Sequence, residues 1–458
     1  MTHSHTPTTV AAAVDSLMPR ACEELRTLVH FRSVADARVA DPAECENAAQ
    51  WVADAFTAEG VPCRLAPTPD GSSLVLGHHP APAGRPTVLL YAHYDVQPPL
   101  DESQWRTPPF ELTEGADGRL FGRGAADSKG NIIAHLTALR VLRQLGDGSL
   151  PVGIRVLIEG SEEQGGAGLD AWLREHPDDL DSDVFLIQDA GNAALGLPTL
   201  TTSLRGASDL VVTVEALTSQ VHSGQFGGAA PDALAALIAI LASLRDANGD
   251  TVIDGVTEDV LHGTWPGVSY DVEQFRTDAG ILDGVDVLGS GAVADQLWAR
   301  PAVTVLGIDA PPVVGSSAAI QPKAAARLNL RIPTGADPNA LQEALIAHLR
   351  AHAPWGVHVQ IDASEPGWPF RARTDGSAFG LLSTALAEAF GRPTVTSGIG
   401  GSIPLCTTLE AQYPAAEILL LGVEEPQCLI HAPNESVAPS EIAGIATAET
   451  LFLSRLGH

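Results

Sequence analysis

The chain has 458 residues, enough for two or three domains and for a large apolar core without disulfide or metal staples. Apolar residues make up 45% and charged residues 18%, which sets aside disorder, collagen and coiled coil over most of the length. Against 56 acidic residues stand 26 basic ones, a formal charge of −30, which argues against a nucleic-acid partner and fits either solubilising charge or cation binding.

Five cysteines, Cys22, Cys45, Cys63, Cys406 and Cys428, are scattered and form no CxxC pair. That pattern argues against a disulfide framework and fits a reducing cytoplasm. The opening MTHSHTPTTVAAAVDSL has neither a basic start nor a long apolar run, so no signal peptide is expected. No stretch of 18 uncharged apolar residues occurs, so no membrane span is expected either.

In chain order, Ala49, Val52, Ala53 and Phe56 share one face of a helix predicted from Glu46 to Gly60. Pro86 to Ala92 is an apolar run of strand length, as a strand buried on both faces would be. Lys129 to Leu145 carries Ile132, Leu136, Leu139 and Leu142 at helical spacing, and Val152 to Ile158 and Val184 to Ile187 read as further buried strands. This alternation implies an α/β sheet. Past Arg205 the pattern changes. A strand at Leu210 to Val214, a helix at Pro231 to Leu244 and a loop-rich stretch from about Asn248 to Gly315 come first. They are followed by a strand at Ala326 to Ile332, a helix at Pro338 to His352 and a strand at Val357 to Ile361. That order suits a two-layer α+β domain. The helix Ser377 to Gly391 and strand Ala416 to Leu421 resemble the first part again. The expected organisation is one catalytic domain, residues 1–205 and 365–458, interrupted by an inserted domain, residues 206–364.

Open α/β sheets place ligands at the ends of their strands. There the first strand runs into His93-Tyr94-Asp95, whose period-two spacing puts His93 and Asp95 on one side. A ligating His commonly gives its second N–H to a carboxylate, though a strand-end His can also be merely hydrogen-bonded at the surface. Asp127 stands in GRGAADSKG before a helix, as an N-cap or a ligand. Glu162 and Glu163 follow the next strand in EGSEEQGG, where one carboxylate could bind metal and the other act as general base. Asp189 ends a further strand, and His431 lies in IHAPNE. Two His, two Asp and two adjacent Glu suffice for a two-metal site with one carboxylate to spare. Imidazole with carboxylate suits zinc, and manganese or cobalt are tolerated. Such a pair of metals hydrolyses amides through a bridging hydroxide.

LLYAHYDVQP, GRGAADSKG, EGSEEQGG, the Asp189 strand end, VHSGQFGG, GGSIP and HAPNE, spread from residue 89 to residue 435, together resemble one family. This is the dinuclear-zinc aminoacylase, dipeptidase and carboxypeptidase family of metallopeptidases, most closely its carnosinase-like dipeptidases. The resemblance implies a mixed-sheet, zinc-exopeptidase-like α/β domain with helices on both faces, and an inserted lid that forms a homodimer. It implies two divalent metal ions per subunit, most readily Zn2+. His93 and Asp189 would hold one ion, Glu163 and His431 the other, and Asp127 would bridge them. Asp95 would orient His93, and Glu162 would be the general base. A cis peptide commonly follows the bridging Asp. His222 of the lid would reach the partner subunit's site and stabilise the oxyanion. Arg331 would grip the substrate's free carboxylate, with Ser402 as a further candidate. The remaining twelve histidines, among them His3, His5, His78 and His79, sit in no such pattern. Departures occur at Gly398-Ile399, where Arg-Glu is usual, at Ser128, often Asp or Asn, and at Ala318 to Gln321, where a Thr is often found.

The expected activity is hydrolysis of dipeptides by a cytoplasmic homodimer with no nucleic-acid or membrane partner. An N-acyl- or N-carbamoyl-amino-acid amidohydrolase shares the chemistry. A catalytically inactive binding protein would show a missing ligand or base, and none is missing.

Overall fold

The computed structural model describes residues 6–457, so His3 and His5 lie outside the described residues. The apolar runs read from the sequence become the strands Thr87–His93, Gly153–Glu159, Val184–Gln188 and Glu417–Leu421. All four are parallel, in the order 153–159, 87–93, 184–188, 417–421, with His93 in register with Glu159. Antiparallel strands Cys63–Pro67 and Ser73–His79 extend one edge and Thr199–Leu204 the other, within a mixed sheet of nine strands. Thr87–His93 is buried on both faces from Val88 onward, which is why it reads as one apolar run.

By contact the chain divides into two units. The first comprises Met1–Thr202, Ala372–Ser397 and Pro404–His458, and the second Ser203–Arg371 and Gly398–Ile403. In the first, the helices Pro7–His30, Lys129–Leu145, Ser377–Phe390 and Pro439–Leu456 pack together beside the sheet. Their core joins Leu25, Leu28, Leu136, Leu139, Leu386 and Phe452 to Val88, Leu90 and Ala92. On the other side Phe185 meets Tyr413, with ring centroids 5.2 Å apart. The predicted helix at Glu46 is longer, Pro42–Ala58, because Asp41 caps it through Ala43 N and Pro42 occupies the first turn.

The second unit is a two-layer α+β structure. Its antiparallel strands lie in the order Ala302–Asp309, Lys323–Ile332, Gly206–Glu215, His358–Ala363. The helices Ala233–Ala242 and Pro338–Ala351 cover one face. The middle strand alternates, with Leu328, Leu330 and Ile332 in the core and Arg327, Asn329 and Arg331 on the other face. The loop-rich stretch holds elements that hydropathy did not separate from loop: the short helices Glu258–Leu261 and Val272–Asp278, the π-turn Asp295–Ala299 and, longest, the edge strand Ala302–Asp309. Most of its side chains are exposed, so it lacks the burial that marks a strand in sequence.

All five cysteines are free. Among the described residues no helix is long and apolar enough to cross a membrane.

Candidate metal centre

His93 ends its strand fully buried, and its ring is fixed from behind. Nδ1 lies 3.0 Å from the main-chain carbonyl of Asp95, which leaves Nε2 facing Asp127 Oδ1 at 2.9 Å and Asp189 Oδ1 at 3.1 Å. The orienting contact therefore comes from the Asp95 backbone. The Asp95 carboxylate, 3.5 Å from Nδ1, instead accepts the N–H groups of Glu162 at 3.2 Å and Glu163 at 3.0 Å. One residue thus aims the imidazole and pins the turn that carries both glutamates.

Asp127 is not the helix N-cap. Ser128 takes that place without a side-chain cap bond, and the Asp127–Ser128 peptide is cis. The Asp127 oxygens are divided between two imidazoles, Oδ1 toward His93 and Oδ2 toward His431 Nε2, each at 2.9 Å. The loop behind it is held by Glu435. That buried carboxylate accepts Arg123 Nη1 at 2.7 Å and the N–H groups of Gly124, Ala126 and Asp127 at 3.0 to 3.2 Å. The final glutamate of HAPNE therefore shapes a loop some 310 residues earlier in the chain. Its partners lie too far off in sequence for spacing to reveal them. In the same segment Leu429, His431 and Asn434 all adopt left-handed φ, at 52°, 63° and 68°. Such residues cost roughly 1–3 kcal/mol each and persist where surrounding structure imposes them.

The turn after Gly153–Glu159 needs Gly160, because a Cβ there would fall 2.0 Å from Tyr94 Oη. Past it the two glutamates diverge. Glu163 is held by Gln97, with Oε1 3.2 Å from its N–H and Oε2 2.7 Å from Nε2, and that Oε2 stands 3.2 Å from His431 Nε2. Glu162 accepts no side-chain hydrogen bond among the described residues, yet it groups with His93 and Asp189. Burial and the Asp189 charge push its carboxyl well above the usual range.

Ligand atoms of His93, Glu162 and Asp189 form one cluster and those of Asp127, Glu163 and His431 another, each within 4.8 Å. Zinc–nitrogen bonds of about 2.0–2.1 Å place tetrahedral ligand atoms roughly 3.3 Å apart. The Nε2-to-carboxylate distances of 2.9 to 3.2 Å are close to such edges. Electrostatics agree. The bonds from Asp127 and Glu163 push His431 up to about 10. Burial opposes charge on His93, but Asp189 and Asp127 outweigh it and hold that ring well above the ordinary value. In each pocket a proton on the ring stands where a cation would replace it. The donor set fits two divalent ions.

His222, Arg331 and Ser402 belong to the second unit. His222 is exposed, and its Nδ1 accepts Gly224 N–H at 3.1 Å. That assigns the ring proton to Nε2, free to donate. Arg331 is half-buried, forms no ion pair among the described residues, and burial lowers its pKa. Ser402 is half-buried in the glycine loop. Gly398 is packed by tryptophan, since a Cβ there would lie 2.7 Å from Trp298 Cβ and 3.3 Å from Trp265 Cη2. An arginine is excluded at that position.

One further His cluster exists. Asp254 Oδ2 lies 2.8 Å from His352 Nε2 and 3.2 Å from His348 Nδ1. His348 Nδ1 already accepts Asp254 N–H at 3.1 Å and Nε2 meets Ser243 Oγ at 3.0 Å, so the ring serves as a structural clamp. Spacing had missed three groups of the first unit. They are the Glu435 clamp, the buried Glu424, and His135, which joins Glu449 at 2.9 Å to the Tyr91 carbonyl at 3.1 Å beneath the metal-facing strands.

The model of Peptidase family M20/M25/M40 matches residues 89–454, and the chain belongs to that family. It is accordingly a peptidase with a divalent-metal site. Among its relatives, the Cysteinylglycine-S-conjugate dipeptidase of Corynebacterium striatum is 42% identical over 416 residues, 90% of either chain. The Beta-Ala-His dipeptidase of Rattus norvegicus is 30% identical over 399 residues, 81% of this chain and 78% of its own. In fold the chain matches the solved di-peptidase Dug1p from Saccharomyces cerevisiae, with TM-score 0.81, 22% identity and 99% of both chains covered. Human carnosine dipeptidase 1 also gives 0.81, at 24% identity over 98% of both chains.

Proposed function

We propose that the chain is a metal-dependent dipeptidase acting on cysteinylglycine-type dipeptides, S-substituted forms included, as the name of its Corynebacterium striatum relative states of that protein. The observation that carries the reading is the division of the Asp127 carboxylate between His93 and His431, with the Glu162 carboxylate unengaged beside them. Two divalent ions, zinc by ligand chemistry, would polarise the scissile carbonyl and acidify water. His93 and Asp189 would hold one ion and Glu163 and His431 the other, with Asp127 shared between them. Glu162 takes the proton of the attacking water and delivers it to the leaving amine. His222 of the partner subunit donates its Nε2–H to the oxyanion. Arg331 supplies a two-pronged bond to the substrate's carboxylate, with Ser402 beside it.

The dimer is formed through the second unit. Its edge strand exposes Val305, Leu306 and Ile308 and its helix exposes Ile238, each more than 40% accessible, apolar side chains that a partner subunit could cover. The free cysteines support a cytoplasmic setting.

The test is a panel of Cys-Gly, S-substituted Cys-Gly, β-Ala-His and matched N-acyl and N-carbamoyl amino acids. Each is assayed after zinc or manganese loading and again after chelation. Metal-dependent cleavage of the free-amine dipeptides is expected. Cleavage of only the blocked substrates would overturn the reading in favour of an amidohydrolase.

A further inference from the structure

Glu424 stands on the loop after the strand Glu417–Leu421, seven residues before His431. Its position is built. The backbone carbonyl accepts Asn192 N–H at 2.8 Å and bridges to Gly191. Oε1 accepts Asn131 Nδ2, and Asn131 Oδ1 in turn accepts Val423 N–H at 2.9 Å. Gly422 leaves room for the carboxylate, because a Cβ there would fall 2.3 Å from Glu424 Oε2. The residue is only 8% exposed.

Among the described residues nothing hydrogen-bonds to Oε2. It is buried without a hydrogen-bond partner, while ligand oxygens of Glu424, Asp127 and Asp189 all lie within 4.8 Å of one another. Asp127 is compensated by both imidazoles and Asp189 by His93, but Glu424 faces two further acids with an empty oxygen. Buried acids gathered this way are tolerated when a cation completes them. We propose that Glu424 is an accessory carboxylate of the metal centre, its free Oε2 joining Asp127 and Asp189 around the bound cations. This rests on the metal-site reading above and adds to it a ligand that the motifs do not contain.

The experiment compares apo wild type with Glu424→Gln and Glu424→Asp, each titrated with Zn2+ against a competing chelator and, separately, with Co2+ read by visible absorption. Wild type should bind two ions. Glu424→Gln should bind one of them about 10–100-fold more weakly and shift the cobalt bands. Wild-type affinity for both ions with an unchanged cobalt spectrum in Glu424→Gln would overturn the role of Glu424 and leave the dipeptidase reading standing. Wild type that binds no divalent ion would overturn both. If Glu424→Gln does not fold, Glu424→Asp decides, since its shortened carboxylate should give the same weakening and wild-type affinity there overturns the proposal.

Discussion

His93 and Asp95 show how far function at one strand end rests on backbone as well as side chain. The carbonyl of Asp95 aims the ring, and its carboxylate anchors the Glu162–Glu163 turn. The glutamates divide their tasks by what surrounds them: Glu163 is locked by Gln97, and Glu162 is left free and hard to ionise. Glu162→Gln should therefore lower kcat by roughly 10²–10⁴ while metal analysis still finds ions at the wild-type ratio. Loss of metal along with activity would move Glu162 from base to ligand. Glu435→Ala should behave differently. It strands the buried Arg123 guanidinium and three N–H groups, which should cost about 3–5 kcal/mol in denaturant unfolding and weaken metal binding as the Asp127 loop loosens.

At the scale of elements, the four parallel strands act as a frame whose ends deliver His93, Glu162 and Glu163, Asp189 and, through a longer loop, His431. In the second unit the helix Pro338–Ala351 is tied to the loop-rich stretch by His348 and Asp254. Burial, then the charge of His352, lowers the His348 pKa, so the folded chain prefers its neutral ring. The stability this contributes is full above the unfolded value of about 6.5 and is lost as pH falls through it toward the lower folded value. Asp254, lowered mainly by its bond to His352, adds a loss that begins only in the carboxylate range. Melting of the chelated protein between pH 8 and 5 should show this decline, and His348→Asn should flatten it. An unchanged slope in the variant would remove His348 from the account.

For the whole molecule, bound ions link the strand ends and so link activity to stability. Chelation should lower the melting temperature, and reloading should restore it. Ion at one hundred times its Kd contributes about 2.7 kcal/mol. If His222 acts across a dimer, two inactive variants should rescue each other. An equal mixture of His222→Ala and Glu162→Ala, allowed to exchange subunits, should recover about a quarter of wild-type activity, since half the dimers are mixed and each holds one intact site. No recovery in verified mixed dimers would place the histidine's action within its own subunit.

Much of the architecture was legible because it depends on local pattern. Thr87–His93 and its parallel neighbours are apolar throughout because both faces are covered, and each run stops abruptly at polar residues. That change marked His93, Glu162, Glu163 and Asp189 from sequence alone. The strand Ala302–Asp309 escaped because an exposed edge leaves no periodic burial to read. The sequence by itself determined which residue types stand at the strand ends and how the elements alternate, since both follow from hydropathy along a short stretch. Only the tertiary structure decided that Asp95 aims His93 with its carbonyl, that Glu435 holds the Asp127 loop, and that the Glu424 carboxylate groups with those of Asp127 and Asp189. The contacts of Glu435 and Glu424 join residues on different strand ends and loops, some 300 positions apart, and only the order of strands in the sheet brings them together.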